Sequence, residues 1–150
     1  MNTIESNCSP TFKQTLFIPK KTQIVENFGK NFADAIELAQ TRINKNHPDL
    51  DVYFILPNRT SFDKDLYIGV TETTKKPIKK LKNYLKMRLG TYFYYKALSE
   101  FFTPRRLKPI TFSKNIKHNE INYTASMIEL HVDYLTKLSE PDFSKIQLYQ

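Results

Sequence analysis

Two runs of β-branched and aromatic residues, DVYFIL at 51–56 and LYIGVT at 66–71, are separated only by the polar stretch PNRTSFDKD. Pro57 closes the first run, so the pair reads as two antiparallel strands joined by a polar hairpin loop. What flanks this hairpin decides the fold class. Upstream, Thr22 suits a helix N-cap, and Ile24, Phe28, Phe32, Ile36, Ala39 and Ile43 recur every three or four positions until His47 and Pro48. That spacing predicts one helix over 22–46. Before it, TLFI at 15–18 is a short apolar run ended by Pro19, an edge strand or a packed arm. Downstream, Pro77 suits a first helical turn with Thr74 as cap, and Ile78, Leu81, Leu85 and Leu89 form an apolar stripe. This second helix is expected to bury that stripe, to turn Lys79, Lys82 and Lys86 to solvent, to kink or break at Gly90, and to end by Phe102 before Thr103 and Pro104. ITFS at 110–113 reads as a third strand, and Met127, Ile128, His131, Leu135 and Leu138 predict a last helix that Pro141 stops.

These elements predict an α/β (α+β) fold: a small, mainly antiparallel three-stranded sheet flanked by helices, in the order α-β-β-α-β-α. At 150 residues, with 40% apolar and 25% charged residues and only three glycines, the chain suits a single domain over 1–150 with one core. Residues 1–12 are expected to be a flexible tail and PDFSKIQLYQ at most a packed one. No run approaches the roughly eighteen apolar residues of a membrane span, and the N-terminal residues carry neither a basic nor an apolar leader segment. The expected location is therefore cytoplasmic, with no membrane partner. The single cysteine, Cys8, has no partner for an internal disulfide and cannot assemble a thiolate metal site.

The charge is unevenly placed. From Lys75 to Lys117 there are thirteen lysines and arginines against one acid, a net of +12, while the rest of the chain sums to −4 and the whole to +8. Tyr84, Tyr92, Phe93, Tyr94 and Tyr95 interleave with these bases. Such a surface neutralises phosphates, and exposed aromatic rings stack on unpaired bases. Nucleic acid is the expected partner, DNA ahead of RNA, through Lys75, Lys76, Lys79, Lys82, Lys86, Arg88, Arg105 and Arg106; an acidic protein is the alternative. The same aromatics also suit a core, because residues 92–95 point in several directions around a helix. A Gly-rich phosphate loop, paired Cys or His at metal spacing, GxSxG and HExxH are all absent. His47, His118 and His131 lie far apart in sequence and read as helix-end, loop or interior residues.

One constellation stands out. A strand with Val52-Tyr53-Phe54, a loop, a strand with Tyr67-Ile68-Gly69, a basic helix, a third strand and a helix bearing a carboxylate resemble, over residues 51–138, the GIY-YIG nuclease family. The 22–46 helix is then an addition that packs on the sheet or helps form a homodimer. The resemblance implies a metal-dependent DNA endonuclease that hydrolyses phosphodiester bonds. Tyr53 would help activate water, Tyr67 would complete the hydrogen-bonded site, Lys80 would stabilise the developing charge, and Glu129 would bind Mg²⁺ or Mn²⁺. On adjacent antiparallel strands the two phenols can share one face of the sheet, with Gly69 allowing close backbone approach. The chain departs from the family pattern in reading DVYFI for the first motif, in its longer loop, and in Lys80-Leu81 where arginine-leucine is expected. Lysine lacks the planar fork of arginine. Two other classes stay open: a non-catalytic nucleic-acid-binding protein, and a small basic protein of a phage or mobile element that inhibits or docks on an acidic partner.

Overall fold

The computed structural model describes residues 14–56, 65–96 and 99–138. The two tails, Cys8, Pro141 and most of the hairpin loop lie outside the described residues. Four strands, β1 (Leu16–Phe17), β2 (Leu50–Ile55), β3 (Asp65–Glu72) and β4 (Leu107–Thr111), lie side by side in that order. β2, β3 and β4 run antiparallel, with Tyr53 opposite Gly69 and Tyr67 opposite Pro109. β1 adds to the free edge of β2 in parallel, Phe17 opposite Tyr53. The fold is α+β, but its sheet is mixed and four-stranded where three strands were expected. The fourth is the TLFI run, taken up as an edge strand. The strand expected at 110–113 starts earlier, at Leu107, and includes Pro109, which an edge strand tolerates.

The helical segment expected over 22–46 is two helices, α1 (Lys21–Phe28) and α2 (Lys30–Asn46). They part at Gly29, whose φ of +95° is a backbone conformation open to glycine. A side chain there would also collide with Asn115, whose Oδ1 lies 2.6 Å from the position of a Cβ. The Asn115 N–H in turn donates to the Phe28 carbonyl at 2.8 Å, satisfying an orphan acceptor at the end of α1. After β4, a 3-10 turn (His118–Glu120) leads into the last helix (Ile121–Thr136). That helix buries Thr124, Ala125, Ile128, Val132 and Leu135.

Strand parity separates two apolar cores. Val52, Phe54, Leu66, Ile68 and Val70 face α1, α2 and the last helix, packing on Phe28, Phe32, Ile36 and Ile43. Tyr53, Ile55, Tyr67 and Leu107 face the other way and meet Met87. Met87 belongs to α3 (Pro77–Phe93), which alone covers much of this second face; a short α4 (Ser99–Phe102) follows it. The last helix is therefore α5. α3 continues through Gly90, where a kink or break was expected, and it stops at Phe93, short of the Phe102 expected. Gly90 is needed for approach: a Cβ there would sit 2.7 Å from both Pro104 Cδ and Leu107 Cδ2. None of the described helices is long and apolar enough to cross a membrane.

The orientation of α3 is the main departure from the sequence expectation. Ile78, Leu81, Leu85 and Leu89, expected to pack inward, are 72%, 57%, 54% and 48% exposed. Lys80, Asn83, Tyr84, Met87 and Thr91 turn towards the sheet instead. The cause lies in β2. Its α3-facing residues are Asp51, Tyr53 and Ile55, so two of the three bring buried polar groups that need partners. A leucine face laid on that surface would strand the Asp51 carboxylate, which costs more than four half-exposed aliphatic side chains gain by burial.

Candidate functional site

The polar centre of the α3 side is built on Asp51, which is fully buried. Its Oδ1 accepts from the Thr15 N–H at 2.9 Å and from the Thr73 hydroxyl at 2.8 Å, and the Lys80 ammonium lies 3.1 Å from both carboxylate oxygens. Lys80 also donates to Thr15 Oγ1 at 2.8 Å. Four segments thus meet at one carboxylate: the residue before β1, the start of β2, the residue after β3, and the first turn of α3. With its side chain only 18% exposed, Lys80 is an internal counter-ion, and its charge is directed at Asp51 rather than outward at a phosphate.

Next along β2, Tyr53 hydrogen-bonds Thr71 between hydroxyls at 2.9 Å, and Asn83 adds a second side-chain bond. Burial pushes this phenol above its ordinary value, an effect that the bonds to Thr71 and Asn83 offset only in part. The ring stacks on Phe17 at 4.7 Å, and Phe17 stacks in turn on Tyr84 at 5.4 Å. Tyr67 lies on the same face of the sheet, fully buried, with Tyr94 edge-on at 5.6 Å. Tyr53, Tyr67 and Lys80 are thus brought to one side of the sheet, as the hairpin register implied, but both phenols are closed off from solvent.

Glu129 is elsewhere. It lies on α5, on the opposite side of the sheet, where its Oε2 accepts from Asn46 Nδ2 at 2.5 Å. It belongs to a polar seam between α2 and α5 in which Arg42 donates to Ser126 at 3.0 Å and Asn122 at 2.6 Å, and His47 pairs with Asp133. A divalent ion beside the tyrosines would need carboxylate oxygens there. Asp51 has both of its oxygens on Lys80, and Glu129 is on the far layer, so these residues do not fit such an ion. Among the described residues no group of three or more His, Cys, Asp or Glu gathers elsewhere.

The basic residues divide three ways. Lys79 and Lys86 fall on the same side of α3 as Gly90, eleven and four residues later, and Lys82 lies next to them. Pro104 packs against Gly90, so the chain at the exposed Arg105 passes close to this side of α3, and the exposed Lys75 and Lys76 immediately precede the helix. Arg88 lies on the opposite flank of α3, at the edge of a cleft of about 490 Å³ lined also by Phe17, Lys20, Gln23 and Tyr84. Arg106 is held internally: its Nε donates to the Leu138 carbonyl at 2.5 Å and its guanidinium reaches that of Thr136 at 3.5 Å, closing the end of α5. Of the aromatics, Tyr92 and Tyr95 are exposed, whereas Tyr84, Phe93 and Tyr94 pack inward.

Asp51, Thr15, Thr73 and Asn83 were missed in the sequence. The signal for Asp51 was an acid opening an otherwise apolar strand, in phase with Tyr53; its threonine partners carry no such mark. Compared with protein-family models, curated proteins and solved structures, the chain gives no match.

Proposed function

We propose that the chain is a nucleic-acid-binding protein without hydrolytic chemistry of its own, DNA being the preferred polymer. Lys75, Lys76, Lys79, Lys82, Lys86 and Arg105 form its phosphate-facing surface. The observation that carries this reading is that Lys79, Lys82 and Lys86 share one flank of α3, a helix that bears no acid, and that all six cations are exposed. Regularly spaced lysines on one helix flank suit a phosphate backbone, where released counterions drive association and no sequence is read. The enclosure of Tyr53 and Tyr67, the pairing of Lys80 with Asp51 and the distant placement of Glu129 support binding over cleavage.

The test is anisotropy of a labelled duplex titrated with the protein across a salt series. A steep salt dependence is expected, and Lys79→Gln/Lys82→Gln/Lys86→Gln together should flatten the log–log slope by about two to three and weaken binding roughly ten-fold or more at low salt. Plasmid incubated with Mg²⁺, Mn²⁺ or EDTA supplies the other arm. Metal-dependent nicking that disappears in Tyr53→Phe and Glu129→Ala would restore the endonuclease reading, and no binding at low salt would remove nucleic acid altogether.

A further inference from the structure

Phosphates leave one face of α3 unexplained. Ile78, Leu81, Leu85 and Leu89, continued by the 60%-exposed Tyr92, line up at spacings of three and four. At about 100° per residue they occupy a strip roughly 80° wide. Isolated exposed leucines are ordinary, but five large side chains in one row are a contact surface. Polyanion offers nothing to cover aliphatic groups, so the nucleic-acid reading leaves this strip without an occupant.

We propose that this strip docks one amphipathic helix of a partner protein, a helix with an apolar seam and carboxylates along its two edges. Three features select that occupant. The strip is narrow, as wide as a coiled-coil seam, and its fourteen-residue rise of about 21 Å matches a partner helix of about four turns. Both borders are cationic, Lys82 and Lys86 on one side and Arg88 on the other, with no acid anywhere on α3. Opposite charges there steer the encounter and set its orientation, while the apolar seam supplies most of the affinity. A second copy of this chain fails the same charge criterion, since strip-to-strip pairing sets lysines and Arg88 of one copy against those of the other with no acid between them. A lipid surface would be better served by a broader apolar face.

The experiment uses the full chain and two fluorescent helical peptides of about 21 residues, each with a leucine seam, one flanked by glutamates and the other by lysines. Saturable binding of the glutamate-flanked peptide is expected, none of the lysine-flanked one, and a loss of at least ten-fold in Leu81→Ser/Leu85→Ser. Both positions are exposed, so this variant keeps the wild-type melting midpoint and the wild-type affinity for duplex DNA. The DNA measurement separates failure of this proposal from failure of the nucleic-acid reading. Absence of saturable peptide binding, or binding indifferent to the two serines, overturns the proposal. Leucine-dependent binding to phosphatidylglycerol vesicles without peptide binding would assign the strip to lipid and overturn it. Leucine-dependent dimerisation in sedimentation would assign it to a second copy and overturn it equally.

Discussion

Lys80 and Asp51 carry more of the fold than their number suggests. An ion pair out of water is weak evidence for stability when compared with a well-packed apolar pair, yet removing one partner alone leaves an uncompensated charge. Lys80→Met should therefore destabilise the protein by about 3–5 kcal/mol in urea unfolding. Adding Asp51→Asn to that variant should recover part of the loss, because the amide oxygen still accepts from Thr15 and Thr73 without requiring a cation. If the double variant is as unstable as the sum of the two single ones, the coupling between these residues is absent.

Among the elements, α3 shows where sequence pattern and packing disagree. Glycine to alanine within a helix ordinarily stabilises by several tenths to 1 kcal/mol, and Gly90 is interior to α3. Here the added methyl would meet the Pro104 ring and the buried Leu107 side chain at 2.7 Å. Gly90→Ala should thus destabilise by about 1–3 kcal/mol, the opposite sign, as thermal or urea unfolding would read directly. The boundaries of the hairpin strands and the C-terminal end of α2 were legible because proline and β-branched residues mark them locally. Two features were not. The break at Gly29 depends on Asn115, eighty-six positions on, and the facing of α3 depends on which side of β2 carries Asp51 and Tyr53. A leucine stripe tells which residues share a face; only the surface it meets tells whether that face is buried. The candidate site divides in the same way: the shared face of Tyr53 and Tyr67 follows from strand pairing, whereas the placement of Glu129 required knowing which layer α5 joins.

The whole molecule has layers on both sides of one sheet, and a histidine between one layer and the sheet contributes to its acid response. His131 on α5 sits 3.2 Å from the Lys108 carbonyl on β4. Burial, reinforced by the Lys108 charge, lowers its pKa despite the opposing pull of that carbonyl. In the unfolded chain the ring takes up a proton near pH 6.5, so below that value the unfolded state binds more protons and stability falls with pH until the folded ring also titrates. Melting midpoints measured from pH 7.5 to 5.0 should decline, and His131→Gln should decline less over the same interval; equal slopes would remove His131 as the cause. At this scale the sequence showed the α+β class, the helix that becomes α3 and the uneven charge, but not which face of α3 meets the sheet.

The convergence on Asp51 also bears on how the chain folds. Thr15 and Lys80 reach this carboxylate from thirty-six residues before it and twenty-nine after it. A chain with only its hairpin and first core formed would hold a negative charge in an unfinished interior. Such a partly assembled species is penalised until both the N-terminal arm and α3 have docked. One buried carboxylate thereby ties the two halves of the molecule into a single cooperative transition, discouraging intermediates in which one half stands without the other.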